Sequence, residues 1–244
     1  MTHLILTIRR LSLFLTIAIA LFSLGCATTT PDGDVNDPIE SANRSIYNFN
    51  EGFDKAILKP VAKGYQKLPG PVQTGTHNFF SNLNDVVVVF NDVLQLKVEQ
   101  FSSDALRLSV NTVFGVFGLI DMGTPMGLPK HEESFADTLG YWGVASGPYI
   151  VLPILGPSSL RDAPSLVVDF FMHPLSLVSP TSATVALAST QAVDARADLL
   201  KTTDFRDQLA LDPYIFTRES YYQWRQNRVY DGEPPKVIIE DFEE

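Results

Sequence analysis

Residues Thr138 to Leu160 read TLGYWGVASGPYIVLPILGPSSL, an uncharged stretch that is long enough to cross a bilayer. Glycines and prolines interrupt it so often that a continuous membrane-spanning helix is excluded. A backbone that turns within hydrocarbon leaves amide and carbonyl groups without partners, so such a stretch belongs inside protein or beside a wet cavity. We predict a Gly/Pro-rich loop or hairpin here. From this stretch alone, the core of an ordinary soluble protein and the border of a polar cavity are both open.

The chain around this stretch is poor in charge. Between Leu108 and Val193 only eight residues are charged, about 9%, whereas globular proteins average about 25%. A soluble domain needs charge across its surface, so we expect part of this surface to face lipid. An unusually large core is the alternative.

The N-terminus has the pattern of a secretion signal, with two arginines, an apolar run and a small residue in residues 1–25. Gly25 followed by Cys26 resembles the lipobox of bacterial lipoproteins, in which the cysteine is acylated, although Ser23 stands where leucine is usual. We expect residues 1–25 to be removed, Cys26 to be the lipid anchor and residues 26–36 to be a tether. A cleaved signal with a free thiol and an uncleaved anchor are the alternatives.

The mature chain is acidic. Without residues 1–25 it has 16 basic and 28 acidic residues, a net charge of 16 − 28 = −12. Nucleic acid and anionic lipid surfaces are poor partners for such a protein. Ala27 after the cysteine resembles the sorting signal of outer-membrane lipoproteins.

Apolar periodicity predicts helices through most of residues 37–232. The predicted segments are a first helix from Asp37, an irregular connection over Lys59–Gly70, helices over Phe79–Leu96, Val98–Phe117, Ser158–Leu177 and Thr181–Lys201, and a charged helix from Asp212 to Asp231. Residues 233–244 are predicted to form a flexible acidic tail, in which Val237–Phe242 could dock on a carrier protein.

Catalytic and metal-binding motifs are missing from the sequence. There is no GxSxG or CxxC motif, and the histidines are scattered. His131-Glu132-Glu133 fails the HExxH pattern because position 135 is Phe, and we interpret it as a solvated charged turn. Gly115 and Gly118 lack a phosphate-loop context and are expected to allow close packing or a break before Asp121. A phospholipase or acyltransferase would need a nucleophile and base at recognisable spacing, so we expect no enzyme, cofactor or metal.

Several ordered motifs resemble the MlaA/VacJ lipoproteins of Gram-negative outer membranes. The matching residues are Asp37-Pro38, Glu40, Asn43-Arg44, Tyr47 to Asn50, Asn111-Thr112, Gly115, Gly118, Asp121, Phe135 to Gly143, Gly147 to Tyr149, Leu152-Pro153, Gly156, Leu160 to Asp162, Asp212 to Tyr214 and Arg218-Glu219. The resemblance covers most of residues 37–232.

This resemblance implies an all-α, ring-like helical protein in the inner leaflet of the outer membrane, lipid-anchored on the periplasmic side. It implies an amphipathic channel that removes mislocalised phospholipids from the outer leaflet and maintains lipid asymmetry. The implied partners are phospholipid, a trimeric outer-membrane porin and the periplasmic lipid carrier MlaC. A structural lipoprotein that supports porins without transport is the alternative.

The resemblance also suggests residues of the lipid path. They are Tyr47, Asn48, Phe49, Asn50, Phe135, Gly143, Gly147, Pro148 and Tyr149. Gly143, Gly147 and Pro148 would shape a bending loop, and the asparagines could bond a headgroup or a loop carbonyl. Helix packing is the alternative for residues 47–50. For Arg161 and Asp162, we favour a structural ion pair over phosphate binding.

Overall fold

The computed structural model describes residues 37–235. The predictions for the signal peptide, for Cys26 and the tether, and for the acidic tail beyond Pro235 lie outside the described residues.

The described chain is predominantly helical, which confirms the predicted all-α class. Its helices are α1 (Glu40–Phe53), α2 (Lys59–Tyr65), α3 (Gly70–Gln95), α4 (Val98–Val113), α5 (Phe135–Tyr141), α6 (Asp162–Met172), α7 (Thr181–Asp198), α8 (Leu200–Leu209) and α9 (Pro213–Val229), with short 3₁₀ turns at Thr124–Met126 and Pro174–Leu177. No described helix is both long and apolar enough to cross a bilayer.

The predicted irregular connection over Lys59–Gly70 is wrong for Lys59–Tyr65, which are helical, and only residues 66–69 form a connection. A π-helical segment, Asp54–Leu58, joins α1 directly to α2, so the helix continues to Tyr65. Pro60 has no amide hydrogen to donate, and the π-helical segment immediately precedes it. Only a short turn separates α2 from α3, which begins with Gly70 because the following proline suits a first helical turn.

The central stretch contains the predicted hairpin. Strands β1 (Tyr149–Leu152) and β2 (Gly156–Ser159) are antiparallel, with Tyr149 opposite Ser159. Gly156 has a φ of +85°, which a side chain would strain. Because Ser158 and Ser159 belong to β2, the helix predicted from Ser158 begins only at Asp162. The short helix α5, which precedes the hairpin, was not predicted.

The main apolar cluster joins the hairpin to the first and last helices. Tyr47 from α1, Tyr149 and Val151 from β1, and Tyr214 and Tyr221 from α9 are all buried in it. The rings of Tyr47 and Tyr149 lie 5.5 Å and 6.1 Å from that of Tyr214, both edge to face. The hairpin is thus part of the core of this region.

Candidate functional site

Two asparagines of α1 hold the free edge of β1. Asn43 donates from Nδ2 to the Tyr149 carbonyl at 3.0 Å and accepts from the Val151 amide at 2.9 Å. Asn50 repeats the arrangement, with 2.9 Å to the Leu152 carbonyl and 2.7 Å from the Ile154 amide. Each side-chain amide supplies the one donor and one acceptor that the backbone of a third strand would otherwise supply.

The motifs at the two ends of the described chain meet beside these asparagines. The Asp37 carboxylate accepts from Asn43 Nδ2 at 2.8 Å, from the Tyr214 hydroxyl, and from Arg218 Nη1 at 3.3 Å. Arg44 donates to Asp212 at 2.8 Å, and its guanidinium lies 4.3 Å from the centre of the Tyr214 ring. These motifs therefore fasten α1 to α9 and position the hairpin.

Buried ion pairs lie behind the hairpin. Asp137 of α5 accepts from Arg225 Nη1 at 2.9 Å and from Arg228 Nη2 at 2.7 Å. Asp162 accepts from Arg161 Nε at 2.7 Å and from the Tyr221 hydroxyl, and Arg225 Nε lies 3.0 Å from it. We call these five charged residues the arginine cluster. Charges so far from water are stable only when paired and hydrogen-bonded.

A cavity of about 250 Å³ opens against this cluster, and we call it the arginine cavity. It is lined by Gly140, Gly143, Val144, Ala145, Ser146, Arg161, Tyr222, Arg225, Gln226, Val229 and Tyr230. A Cβ on Gly140 would lie 2.8 Å from Arg161 Nη1 and 2.5 Å from a methyl of Val229. Glycine at 140 therefore allows α5 to approach the guanidinium closely.

A second cavity, of about 300 Å³, is amphipathic. Its apolar lining includes Leu166, Phe170 and Leu175, and its polar lining includes Glu132 and Asp169. Burial raises the pKa of Asp169, although the amide of Phe135 donates to this carboxylate at 2.8 Å and lowers the pKa in part. We call it the amphipathic cavity.

The motif from Asn111 to Asp121 builds an exposed apolar turn. A Cβ on Gly115 would lie 2.1 Å from the Ile120 carbonyl oxygen, and one on Gly118 would lie 2.4 Å from the Asn82 Cβ. These clashes confirm that both glycines permit close packing. The turn presents exposed Val113, Phe114, Val116, Phe117, Leu119 and Ile120, and we call residues 113–120 the apolar turn.

Burial in the described chain is inverted relative to a water-soluble domain. The buried set contains more polar and charged side chains than apolar ones, while many large apolar side chains are exposed. The apolar turn, the hairpin tip at Ile154 and Leu155, and Phe170 and Phe171 of α6 are examples. So many exposed large apolar side chains are typical of proteins that contact lipid or other proteins.

The residues suggested for the lipid path fall into three groups. Gly143 lines the arginine cavity, with a φ of +85°. Tyr47 and Tyr149 are buried in the main apolar cluster, and Asn50 is hydrogen-bonded to the hairpin. The others are Asn48 and Phe49, which are exposed, Phe135 and Pro148, which are half-buried, and Gly147, which is buried with a φ of +68°.

Sequence reasoning missed most of the arginine cluster. Arg161 and Asp162 form the expected contact, but Asp137, Arg225 and Arg228 had no assigned role. The sequence did contain one indication of the cluster, since Asp137 and Arg161 are charged residues in a region with few charges. A charged side chain that is buried in such a region needs a partner of opposite charge.

The interpretation of residues 131–133 as a solvated turn is wrong for Glu133. Its side chain is buried and accepts from Gln95 at 2.7 Å and from Lys97 at 2.7 Å. His131 Nδ1 lies 2.8 Å from a carboxylate oxygen of Asp104. The segment is therefore tied to α3 and α4 by buried polar contacts.

One group of potential metal ligands occurs in the described residues. His77 Nδ1 lies 3.2 Å from carboxylate oxygens of both Asp194 and Asp198. The other oxygen of Asp194 accepts from the Tyr65 hydroxyl at 2.7 Å. Contacts between the imidazole and the two carboxylates account for this geometry without a metal ion.

Fold and site together define a helical protein with a clamped hairpin, buried ion pairs and an exposed apolar surface suited to a membrane. The family model described as MlaA lipoprotein matches residues 35–228, and the chain belongs to this family.

Relatives and a solved structure agree with this assignment. The chain is 36% identical over 208 residues to the intermembrane phospholipid transport system lipoprotein MlaA of Escherichia coli, covering 82% of this chain and 81% of the relative. The corresponding protein of Haemophilus influenzae is 35% identical over 216 residues, covering 85% and 86%. A chain solved to establish the structural basis for maintenance of bacterial outer membrane lipid asymmetry is 31% identical, with a TM-score of 0.70, and the match covers 81% of this chain and 99% of that one.

Proposed function

We propose that this protein is an outer-membrane lipoprotein that removes mislocalised phospholipids from the outer leaflet and passes them to a periplasmic carrier. Membership of the MlaA lipoprotein family carries the proposal. Relatives named for intermembrane phospholipid transport match across most of their length. The protein acts by transfer and does not catalyse a reaction on the lipid.

The inverted burial pattern supports a position within one leaflet. Exposed apolar side chains in the apolar turn and on α6 suit contact with acyl chains, whereas the buried polar side chains suit a headgroup path. The amphipathic cavity combines both properties, with apolar walls beside Glu132 and Asp169. The protein is held on the periplasmic side by acylated Cys26, its partners being a trimeric porin and the carrier MlaC.

The loop before the hairpin provides the test of transport. Gly143 and Gly127 both have a left-handed backbone, at φ +85° and +79°, and neither has an atom within 4 Å of an added Cβ. Valine strains the backbone similarly at either position, but Gly143 lines the arginine cavity and Gly127 lines neither of the two cavities described above. Gly127→Val is therefore a matched control for Gly143→Val.

The experiment measures outer-leaflet phospholipid in cells that lack the protein and are complemented with each form at equal abundance. We expect the wild type and Gly127→Val to restore asymmetry, and Gly143→Val to restore it poorly. If Gly143→Val complements fully, the loop has no part in transport. If the wild type does not complement, the transport proposal fails and support of porins becomes the better assignment.

A further inference from the structure

The arginine cluster brings three arginines close to a small group of carboxylates. Arg161, Arg225 and Arg228 make their close ion pairs with Asp137 and Asp162. The side chains of Arg161 and Arg225 are 5% and 9% exposed, and both carboxylates are 1% exposed. Two further carboxylates lie nearby: Glu132, which is half exposed, is 3.7 Å from Arg228, and Asp169 attracts both Arg225 and Arg228.

Two guanidinium groups in this cluster have unused donors. Arg161 directs Nε to Asp162 and Nη1 to the Val144 carbonyl at 3.1 Å, while Arg225 directs Nη1 to Asp137 and to the Ser134 hydroxyl. Within residues 37–235 neither Nη2 donates to an acceptor, and neither is fully enclosed. Both arginines line the arginine cavity, and each keeps a small exposed fraction.

The composition of the cavity lining favours an anion. Two arginines contribute to it, and no aspartate or glutamate does. Ser146, Gln226 and Tyr230 add neutral polar groups whose side chains make no hydrogen bond among the described residues. Val144 and Val229 add apolar surface at the same site. Guanidinium donors that have no protein acceptor are satisfied best by an oxyanion, since guanidinium–oxyanion hydrogen bonds are charge-assisted.

We propose that the arginine cavity binds a phosphate group through Arg161 Nη2 and Arg225 Nη2. A phospholipid headgroup and free inorganic phosphate share this chemistry, and the assignment to a lipid rests on the proposed function. The apolar residues beside the arginines favour the lipid, because they can cover its glycerol backbone. Asp137 and Asp162 act as positioning residues that orient the two guanidinium groups.

Gln226 allows the site to be tested without removing an arginine, whose loss would leave a buried carboxylate unpaired. Gln226 is exposed at the cavity, so Gln226→Glu and Gln226→Lys change its charge with little effect on packing. Gln223, on the same helix, is also exposed but does not line the cavity. Gln223→Glu and Gln223→Lys are the matched controls.

The full-length lipoprotein, purified in detergent and stripped of lipid, is titrated calorimetrically at constant ionic strength. The probes are dihexanoylphosphatidylcholine, inorganic phosphate and dihexanoylglycerol, which lacks the phosphate. For the phospholipid we expect Gln226→Glu to weaken binding about tenfold or more and Gln226→Lys to strengthen it, because the new charge repels or attracts the phosphate charge beside it. Each Gln223 variant should change affinity by less than about threefold.

The three probes separate the possible sources of phosphate. Binding of the phospholipid that exceeds binding of both other probes supports a headgroup site. Equal binding of inorganic phosphate, with the same response to the Gln226 variants, supports the oxyanion site and assigns it to free phosphate. The proposal is overturned if dihexanoylglycerol binds as tightly as the phospholipid, or if the Gln226 and Gln223 variants behave alike. These outcomes do not depend on transport in cells.

Discussion

Asn43 and Asn50 lie seven residues apart on α1, and each bonds both a carbonyl and an amide of the segment from Tyr149 to Ile154. Seven residues of α-helix, nearly two turns, rise about 10.5 Å, and three residues of an extended strand cover about 10 Å. The spacing of Asn43 and Asn50 thus matches that of the strand residues Tyr149 and Leu152. The hairpin edge is held by side chains, which explains why a two-stranded sheet persists here.

Asn43→Ala should destabilise the protein strongly. It leaves the buried Tyr149 carbonyl and Val151 amide without partners, and each orphaned group costs about 1–3 kcal/mol. The free energy of unfolding in urea is the measurement. Asn48→Ala, at an exposed position of the same helix, should change it by less than about 0.5 kcal/mol. Equal effects at the two positions would contradict the role of Asn43 in holding the edge of β1.

Gly115→Ala and Gly75→Ala should have opposite effects. A Cβ at 115 would lie 2.1 Å and 2.3 Å from two carbonyl oxygens, so the apolar turn must distort, at a cost of about 2 kcal/mol or more. At 75, within α3, the nearest atom would be 3.8 Å away, and alanine should stabilise the helix by about 0.5–1 kcal/mol. Thermal unfolding compares the two variants. If Gly75→Ala destabilises the protein, helix propensity does not determine the effect of this substitution on stability.

The position of the hairpin could be predicted from sequence because its cause is local. Proline restricts φ and glycine permits positive φ wherever they stand, and the turn with φ +85° at Gly156 uses that freedom. The end of the first helix could not be predicted in the same way. A proline such as Pro60 usually ends a helix, but here a π-helical segment precedes it and the helix continues to Tyr65.

The arginine cluster and the position of Glu133 depend on contacts that a single sequence does not reveal. Arg225 bonds Asp137, which lies 88 positions earlier in the chain. Glu133 can be buried because Gln95, the last residue of α3, and Lys97, two residues further on, both donate to its carboxylate. Charged residues suggest solvent exposure, and only the packing shows that a partner compensates for burial.

The stability of the protein should depend on pH through Asp92. This side chain is fully buried beside Asp104 and Glu133, and burial together with these two carboxylates raises its pKa from 3.8 to about 7. Between about pH 4 and pH 7 the folded state holds a proton that the unfolded state has lost, so stability falls as pH rises through this range. Above about pH 7 both states are ionised, and the loss is complete.

Asp92→Asn should remove this dependence, because asparagine resembles the protonated acid. Relative to wild type, the variant should gain stability from pH 4 to pH 7, by up to about 1.4 kcal/mol per pH unit. Urea unfolding at pH 5 and pH 8 provides the comparison. A difference between variant and wild type that is equal at the two pH values would show that Asp92 does not titrate in this range.

Phe117→Glu should weaken membrane binding more than Phe205→Glu. Both side chains are well exposed, at 73% and 60%, so neither change should unfold the protein. Phe117 lies in the apolar turn, which has no charged residue, whereas Phe205 lies between Asp204 and Arg206 on α8. A carboxylate that enters the acyl-chain region loses its hydration, and one that stays in water does not.

The measurement is flotation with phosphatidylethanolamine vesicles, using Cys26→Ser protein so that an acyl anchor does not mask the difference. We expect Phe117→Glu to reduce the bound fraction at least several-fold, since it also removes the apolar area that a phenylalanine contributes to the interface. Phe205→Glu should bind nearly as well as its parent. A larger loss for Phe205→Glu would place α8, and not the apolar turn, in the membrane.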